Sequence, residues 1–254
     1  MFDLCLIGIG TGNPDHLTRQ GARAIRDADL ILIPRKGDHK ADLAELRERI
    51  IDDATDGNPP PLAYFDIPPR RSDSGYRQGV DDWHDAIARA WEAAFATATP
   101  APRTVALLIW GDPSLYDSSL RIMTRLDPQP RVRVIAGITA LQALTAAHAI
   151  PINEIGEPFT VTTGRRLRDE GWPQDTETLA IMLDGDCSFR TLTGKNFYIW
   201  WGAYLGMEQE LLISGRLDQV TQQIETARAR ARADHGWIMD IYLLKKHHAD
   251  SADG

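Results

Sequence analysis

The sequence predicts an α/β protein of two α/β domains, the N-terminal one built on a mostly parallel sheet and the C-terminal one on a mixed sheet. Three observations carry this. Strand and helix signals alternate from the first residues; a continuous apolar run, TVALLIW, stops abruptly in Gly111-Asp112-Pro113; and strand signals crowd together after Pro151.

The first elements read as a βαβ unit: a strand over 4–9, a helix over 19–27 and a strand over 30–33. Leu43, Leu46 and Ile50 share one face of a helix over 41–51, and Val80, Trp83, Ile87, Trp91 and Phe95 do so in a longer one. Between them, DGNPPPLAYFDIPPRRSDSGYRQG is rich in Pro, Gly and charge, which makes it a surface connection with one short strand at 62–65. Connections of that length are often functional. The run over 104–110 has no polar alternation, as expected of a strand covered on both faces of a parallel sheet. A helix over 118–126, a strand over 131–135 and a small-residue helix over 139–147 follow. Beyond Pro151 come strand candidates at 159–163, 179–183, 197–201 and 211–214, a helix over 219–232 and a last strand over 237–244. The domains are assigned to 1–116 and 117–254; the divide falls within 112–128, with the change of texture near 151 as the other position.

The 254 residues, 43% of them hydrophobic, suffice for a substantial core. No apolar run approaches the roughly 18–20 residues of a membrane span, and Met1-Phe2-Asp3 is not the basic start of a signal peptide, so no membrane partner and a cytoplasmic location are expected. Cys5 and Cys187 stand apart from any Cys/His cluster and support neither a disulfide framework nor a metal site. A net charge of −8 argues against nucleic acid as partner, which needs a positive face. An anionic partner would require a local basic patch.

LIGIGTGNPDHL looks at first like a dinucleotide loop. That fingerprint needs G-x-G-x-x-G and an acid at the tip of the next strand. Here the glycines are Gly8, Gly10 and Gly12, Asn13 stands at the third glycine's place, and the next strand ends Pro34-Arg35-Lys36. A tight turn without phosphates is what remains.

The loop G-x-G-x-G-N-P with Leu17-Thr18 after it, the strand ending in GDPSLY, and VIAGITALQAL behind it resemble, in this order over 4–150, the tetrapyrrole methylase family, the class III S-adenosylmethionine methyltransferases. KGDHKADLAELR, VDDWHDAIARAWE, FTVTTGRRL, LAIMLDGDCSFRTL, YIWWGAYLG and GWIMDIYLL are similar to a member of that family that also removes an acetyl group from its substrate. Ala136 and Thr11 depart from the pattern, both at places where the family usually or often carries proline.

The resemblance implies S-adenosyl-L-methionine as cofactor, a small-molecule tetrapyrrole substrate, a homodimer and an active site in the cleft between the domains. A sulfonium methyl is already activated, so alignment and water exclusion dominate the chemistry. By resemblance the donor is held by Gly111, Asp112, Pro113, Ser114 and Tyr116, by Thr139 and Ala140, by Met182 and Leu183, and by Tyr204. A plain turn, a helix cap and ordinary core are the other readings of these segments. Gly10, Thr11 and Gly12 would face the macrocycle. Its carboxylates suit basic side chains, the candidates being Arg35, Lys36, Lys40, Arg70, Arg71, Arg165 and Arg166; Arg165 and Arg166 are preferred, and Lys36 joins them. Loss of the acetyl group needs an acid/base group, for which His39, His84 and Asp112 stand unranked, with packing as the alternative for His84. Another family member with a different acceptor, or a noncatalytic binding module on the same fold, are the competing functions.

Overall fold

The computed structural model describes residues 2–35, 41–70 and 76–246. The chain forms two compact units, Met1–Thr139 and Ala140–Gly254.

The first unit is a parallel sheet of β1 (Asp3–Gly8), β2 (Leu30–Arg35), β3 (Leu62–Asp66), β4 (Thr104–Ile109) and β5 (Arg131–Ile135), in the order β3-β2-β4-β1-β5. Its helices are α1 (Arg19–Arg26), α2 (Ala41–Ala54), α3 (Tyr76–Ala96) and the short α4 (Ser119–Ile122). Alternate residues of the strands serve opposite faces. Ile7, Ile31, Ile33, Ala106 and Leu108 pack with Ala24, Ile25, Ile50 and Ile51 of α1 and α2. Leu4, Leu6, Leu32, Val105 and Leu107 pack with Ile87 and Trp91 of α3 and with Ile122 of α4. Two covered faces explain why the central strands carry no polar alternation.

That arrangement sets up the site. The neighbours β1 and β4 send their following helices to opposite faces, α1 to one and α4 to the other. In open α/β sheets a ligand crevice opens at the carboxyl ends of such a strand pair.

The second unit begins at α5 (Ala140–Ala147) and carries β6 (Thr160–Thr163), α6 (Gly164–Glu170), β7 (Thr178–Met182), β8 (Phe197–Ala203), β9 (Leu211–Arg216), α7 (Leu217–His235) and β10 (Asp240–Lys246). The sheet order is β6-β7-β10-β8-β9, with β6 and β7 parallel and the other pairs antiparallel. Leu141 and Leu144 of α5 pack on Ala180, Ile241 and Leu243. A buried polar network stiffens this unit. Arg228 of α7 donates to Asp240 at 2.9 Å, Trp201 Nε1 donates to the same carboxylate at 3.1 Å, and Tyr242 donates to Asp184 at 2.6 Å.

The expected elements are present, with these differences. Helix α3 begins at Tyr76, inside the stretch expected to be a surface connection, and the last strand begins at Asp240, not at 237. The helix over 118–126 is α4 followed by a 3-10 turn at Met123–Arg125. Helix α6, which was not foreseen, has only Leu167 and Gly164 buried in a charged segment, and it is started by Thr163, whose hydroxyl caps it. Strand β5, expected downstream of the divide at 116/117, pairs with β1, so the first unit runs on to Thr139. Among the described residues no helix is long and apolar enough to cross a membrane.

Candidate functional site

At the carboxyl ends of β1, β4 and β5 three turns meet backbone to backbone. Ile9 N donates to Ile109 O at 2.9 Å, and Gly111 N donates to Gly10 O at 2.7 Å. Gly10 and Gly111 hold φ of +76° and +64°, a region that disfavours any side chain. A Cβ on Gly8 would stand 2.6 Å from Gly137 N, and one on Gly137 would stand 2.1 Å from Gly111 O. The glycines of the first loop therefore let main chains cross. Asn13 accepts from Asp15 N at 2.9 Å and starts a 3-10 turn, Pro14–His16, and Thr18 accepts from Gly21 N at 3.0 Å to cap α1.

Asp112 fastens this crossing. One carboxylate oxygen accepts from Ser114 N at 2.8 Å and Ser114 Oγ at 2.5 Å; the other accepts from Gly137 N at 2.9 Å. Burial works to raise its pKa, but the bonds from Ser114 and Gly137 outweigh it and hold the carboxyl below its usual value. A carboxylate with both oxygens engaged positions the turn; of the three unranked acid/base candidates, Asp112 is the one whose oxygens already accept hydrogen bonds from Ser114 and Gly137. Pro113 is buried beneath the turn, while Ser114 is exposed. Tyr116 is 43% exposed at φ +52°. A non-glycine residue held there costs about 1–3 kcal/mol, and such strain clusters at ligand sites. Thr139 lies against Gly111, its Cα 3.6 Å from where a Cβ would stand.

In the second unit Met182 ends β7 half-buried, and Leu183 after it is 67% exposed at φ +54°. Asp184 secures that turn: it accepts from Ser188 N at 2.6 Å, Ser188 Oγ at 2.9 Å and Asp186 N at 3.1 Å as well as from Tyr242. Helix α6 starts against it, since a Cβ on Gly164 would lie 2.3 Å from Asp184 Cγ. Arg165 and Arg166 are exposed on this helix, and Arg166 pairs with Glu170 at 2.7 Å. Ala140, the first residue of α5, packs on the core of this unit.

Tyr204, expected to touch the donor, is 1% exposed. Its hydroxyl donates to Trp237 O at 2.5 Å, its ring meets Trp237 and His235 edge-on, and its amide donates to Met239 O at 3.0 Å. Burial pushes its pKa up to about 12. It is core: at φ +51° just after β8 its ring lies packed against Trp237 and His235.

His84 is buried in α3, with no partner for Nε2 among the described residues. Burial first, then the Arg125 charge, holds its pKa below the ordinary histidine value. Arg125 in turn bridges Asp81 at 2.9 Å and Asp85 at 2.6 Å. The ring packs beside Trp83 in the interior. Arg35 stacks on the Tyr64 ring at 3.6 Å and Arg70 is exposed. Lys36, His39, Lys40 and Arg71 lie outside the described residues.

Two residues at this end of the sheet escaped the sequence reading. Arg47 is buried in α2, donating to Leu108 O at 3.3 Å and Leu43 O at 3.1 Å and stacking on Trp110 at 4.6 Å. Burial pulls its pKa down to about 10, partly offset by Asp117. Its place four residues after Leu43, on the apolar face of the helix, was the available signal. His16 stands beside the first glycine loop, with Nδ1 2.9 Å from Thr11 Oγ1.

A parallel sheet whose neighbours β1 and β4 send their helices to opposite faces, with turns at their carboxyl ends packed glycine on glycine, is the α/β arrangement in which a ligand crevice opens at that edge. The family model of Tetrapyrrole (Corrin/Porphyrin) Methylases matches residues 3–221, and the chain belongs to that family. It is 45% identical over 251 residues, 97% of this chain and 96% of the relative, to a precorrin-6A synthase [deacetylating] of Sinorhizobium sp. To a precorrin-2 C(20)-methyltransferase of Sinorhizobium sp it is 30% identical over 220 residues, 84% of this chain and 80% of that one. Among solved structures, a cobalamin synthesis related protein (CobF) of Corynebacterium diphtheriae superimposes with a TM-score of 0.80 at 38% identity, covering 97% and 99% of the two chains. A uroporphyrin-III C-methyl transferase of Thermus thermophilus, solved with S-adenyl homocysteine, shares the fold at a TM-score of 0.57 and 17% identity, with 96% and 97% covered.

Proposed function

We propose that this chain is an S-adenosylmethionine-dependent C-methyltransferase that methylates precorrin-5 at C1 with loss of its acetyl group as acetate, giving precorrin-6A. The full-length likeness to the Sinorhizobium precorrin-6A synthase carries the reading. The glycine crossing supports it, being the part of the chain that the family motifs build.

S-adenosylmethionine supplies a sulfonium methyl that needs no further activation. The chain fits such a donor: the Asp112-locked turn offers main chain, with Ser114 and Tyr116 open to solvent, and Leu183 is 67% exposed at the end of β7. In this reading Gly111–Tyr116, Thr139, Ala140, Met182 and Leu183 hold the donor. Gly10, Thr11 and Gly12 line the macrocycle, and Arg165 and Arg166 meet its carboxylates. Asp112 keeps the turn fixed, so that little reorganisation is left for the transfer. The chain works as a homodimer in the cytoplasm.

The test is incubation with precorrin-5 and methyl-labelled donor, following label in the tetrapyrrole and acetate in solution. One methyl incorporated per acetate released is expected. Methyl incorporation without acetate would assign the chain to another acceptor in the family.

A further inference from the structure

His16 has a setting that the methyl transfer itself does not use. Its half-buried imidazole is anchored through Nδ1, 2.9 Å from the hydroxyl of Thr11, which is 8% exposed. Nε2 has no partner among the described residues. The loop is shaped to admit this ring. Gly10 holds φ +76°, a Cβ there would stand 2.4 Å from His16 Cβ, and the same glycine is bonded to Gly111 at 2.7 Å. A side chain at position 10 would therefore drive the histidine away from the crossing. One ring nitrogen oriented by a buried hydroxyl and the other left open is the arrangement of a positioned general base.

We propose that His16 is the acid/base residue of acetyl release; this rests on the precorrin-5 reading above. Its Nε2 takes a proton from water as the water oxygen bonds to the acetyl carbonyl carbon. The bond between that carbon and the macrocycle then breaks. Its electron pair stays with the macrocycle, where it forms the new bond to the methyl group, and the carbon–sulfur pair returns to sulfur. Acetic acid leaves and the proton on His16 passes to solvent, so one water is consumed and one proton is released besides acetic acid. Thr11 keeps the imidazole in the orientation this needs.

The wild-type protein and the variants His16→Gln, His16→Gly and Thr11→Val are to be compared with precorrin-5 and labelled donor, with S-adenosylhomocysteine affinity measured by calorimetry. His16→Gln should slow acetate release by on the order of 10²–10⁴-fold, the usual worth of a positioned acid/base group. Binding of S-adenosylhomocysteine should hold within about twofold, and added imidazole should restore acetate release to His16→Gly. Thr11→Val should fall between wild type and His16→Gln. Wild-type acetate release in His16→Gln, or a loss that imidazole does not restore in His16→Gly, overturns the proposal. Absence of acetate release from the wild-type protein overturns the precorrin-5 reading, and the role of His16 falls with it.

Discussion

Gly137→Ala probes the crossing of the three turns most directly. The added Cβ would stand 2.1 Å from Gly111 O and 2.7 Å from both the carbonyl carbon and Cα of Gly8, where real contacts do not come within 3.0 Å. All three atoms are main chain, so no side chain can swing aside; the ends of β1, β4 and β5 must part by nearly an ångström. Overpacking of this kind costs about 1–3 kcal/mol. Parting the strand ends also stretches the 2.9 Å bond from Gly137 N to the Asp112 carboxylate, and a hydrogen bond to a charged group contributes about 1.5–3 kcal/mol. The sum, roughly 2.5–6 kcal/mol, corresponds to a drop of on the order of 10 °C in the melting of the first unit. Thermal unfolding followed by circular dichroism measures it, with calorimetric titration of S-adenosylhomocysteine alongside, where at least a tenfold loss is expected. Gly185→Ala is the control, since nothing lies within 4 Å of its Cβ position and its change should stay within about 0.5 kcal/mol. A Gly137→Ala protein that melts within about 2 °C of wild type and binds with unchanged affinity would refute the account of the crossing.

Asp112→Asn should cost about 1–2 kcal/mol at pH 7, the difference between charged and neutral acceptors. Because the folded-state pKa is lowered, the carboxylate's contribution is complete above its unfolded value and is lost as pH falls through the folded one. The gap in melting temperature between wild type and variant should thus narrow below about pH 4. Tyr204→Phe removes the hydrogen bond from the buried hydroxyl to the Trp237 carbonyl and should destabilise by about 0.5–1.5 kcal/mol in urea titrations while leaving S-adenosylhomocysteine affinity unchanged; weakened binding at unchanged stability would return Tyr204 to the site. Arg228→Met leaves Asp240, 8% exposed, without its partner at 2.9 Å, and equilibrium unfolding should register a loss of about 3–5 kcal/mol.

The local pattern of the chain was enough for the parallel sheet and for where its turns lie. A strand covered on both faces has no use for polar residues, so 104–110 announces itself, and Gly111-Asp112-Pro113 marks where it must stop. Two-faced burial and turn chemistry are properties of neighbours in sequence, which is why the helix at 19–27, the helical face from Val80 to Phe95 and the final strand were also legible. Helix α6 was not, because its buried face amounts to Gly164 and Leu167 and its start depends on a cap from Thr163. The candidate site divides in the same way. The Gly111–Tyr116 turn could be found from its own residues. That Asp112 is tied to Gly137, that Tyr204 turns into the core, that Arg47 lies buried beside Trp110, and that Gly10 makes room for His16 all depend on atoms far apart along the chain or on the direction a side chain takes. Thr11 was visible as a departure from a family pattern and as a residue expected to face the macrocycle; its hydroxyl on His16 gives that departure a physical meaning. Sequence periodicity records which face of an element is buried. Which turns converge at the end of a sheet, and which nitrogen, carboxylate or glycine meets there, is decided only when the strand order β3-β2-β4-β1-β5 brings β1 between β4 and β5.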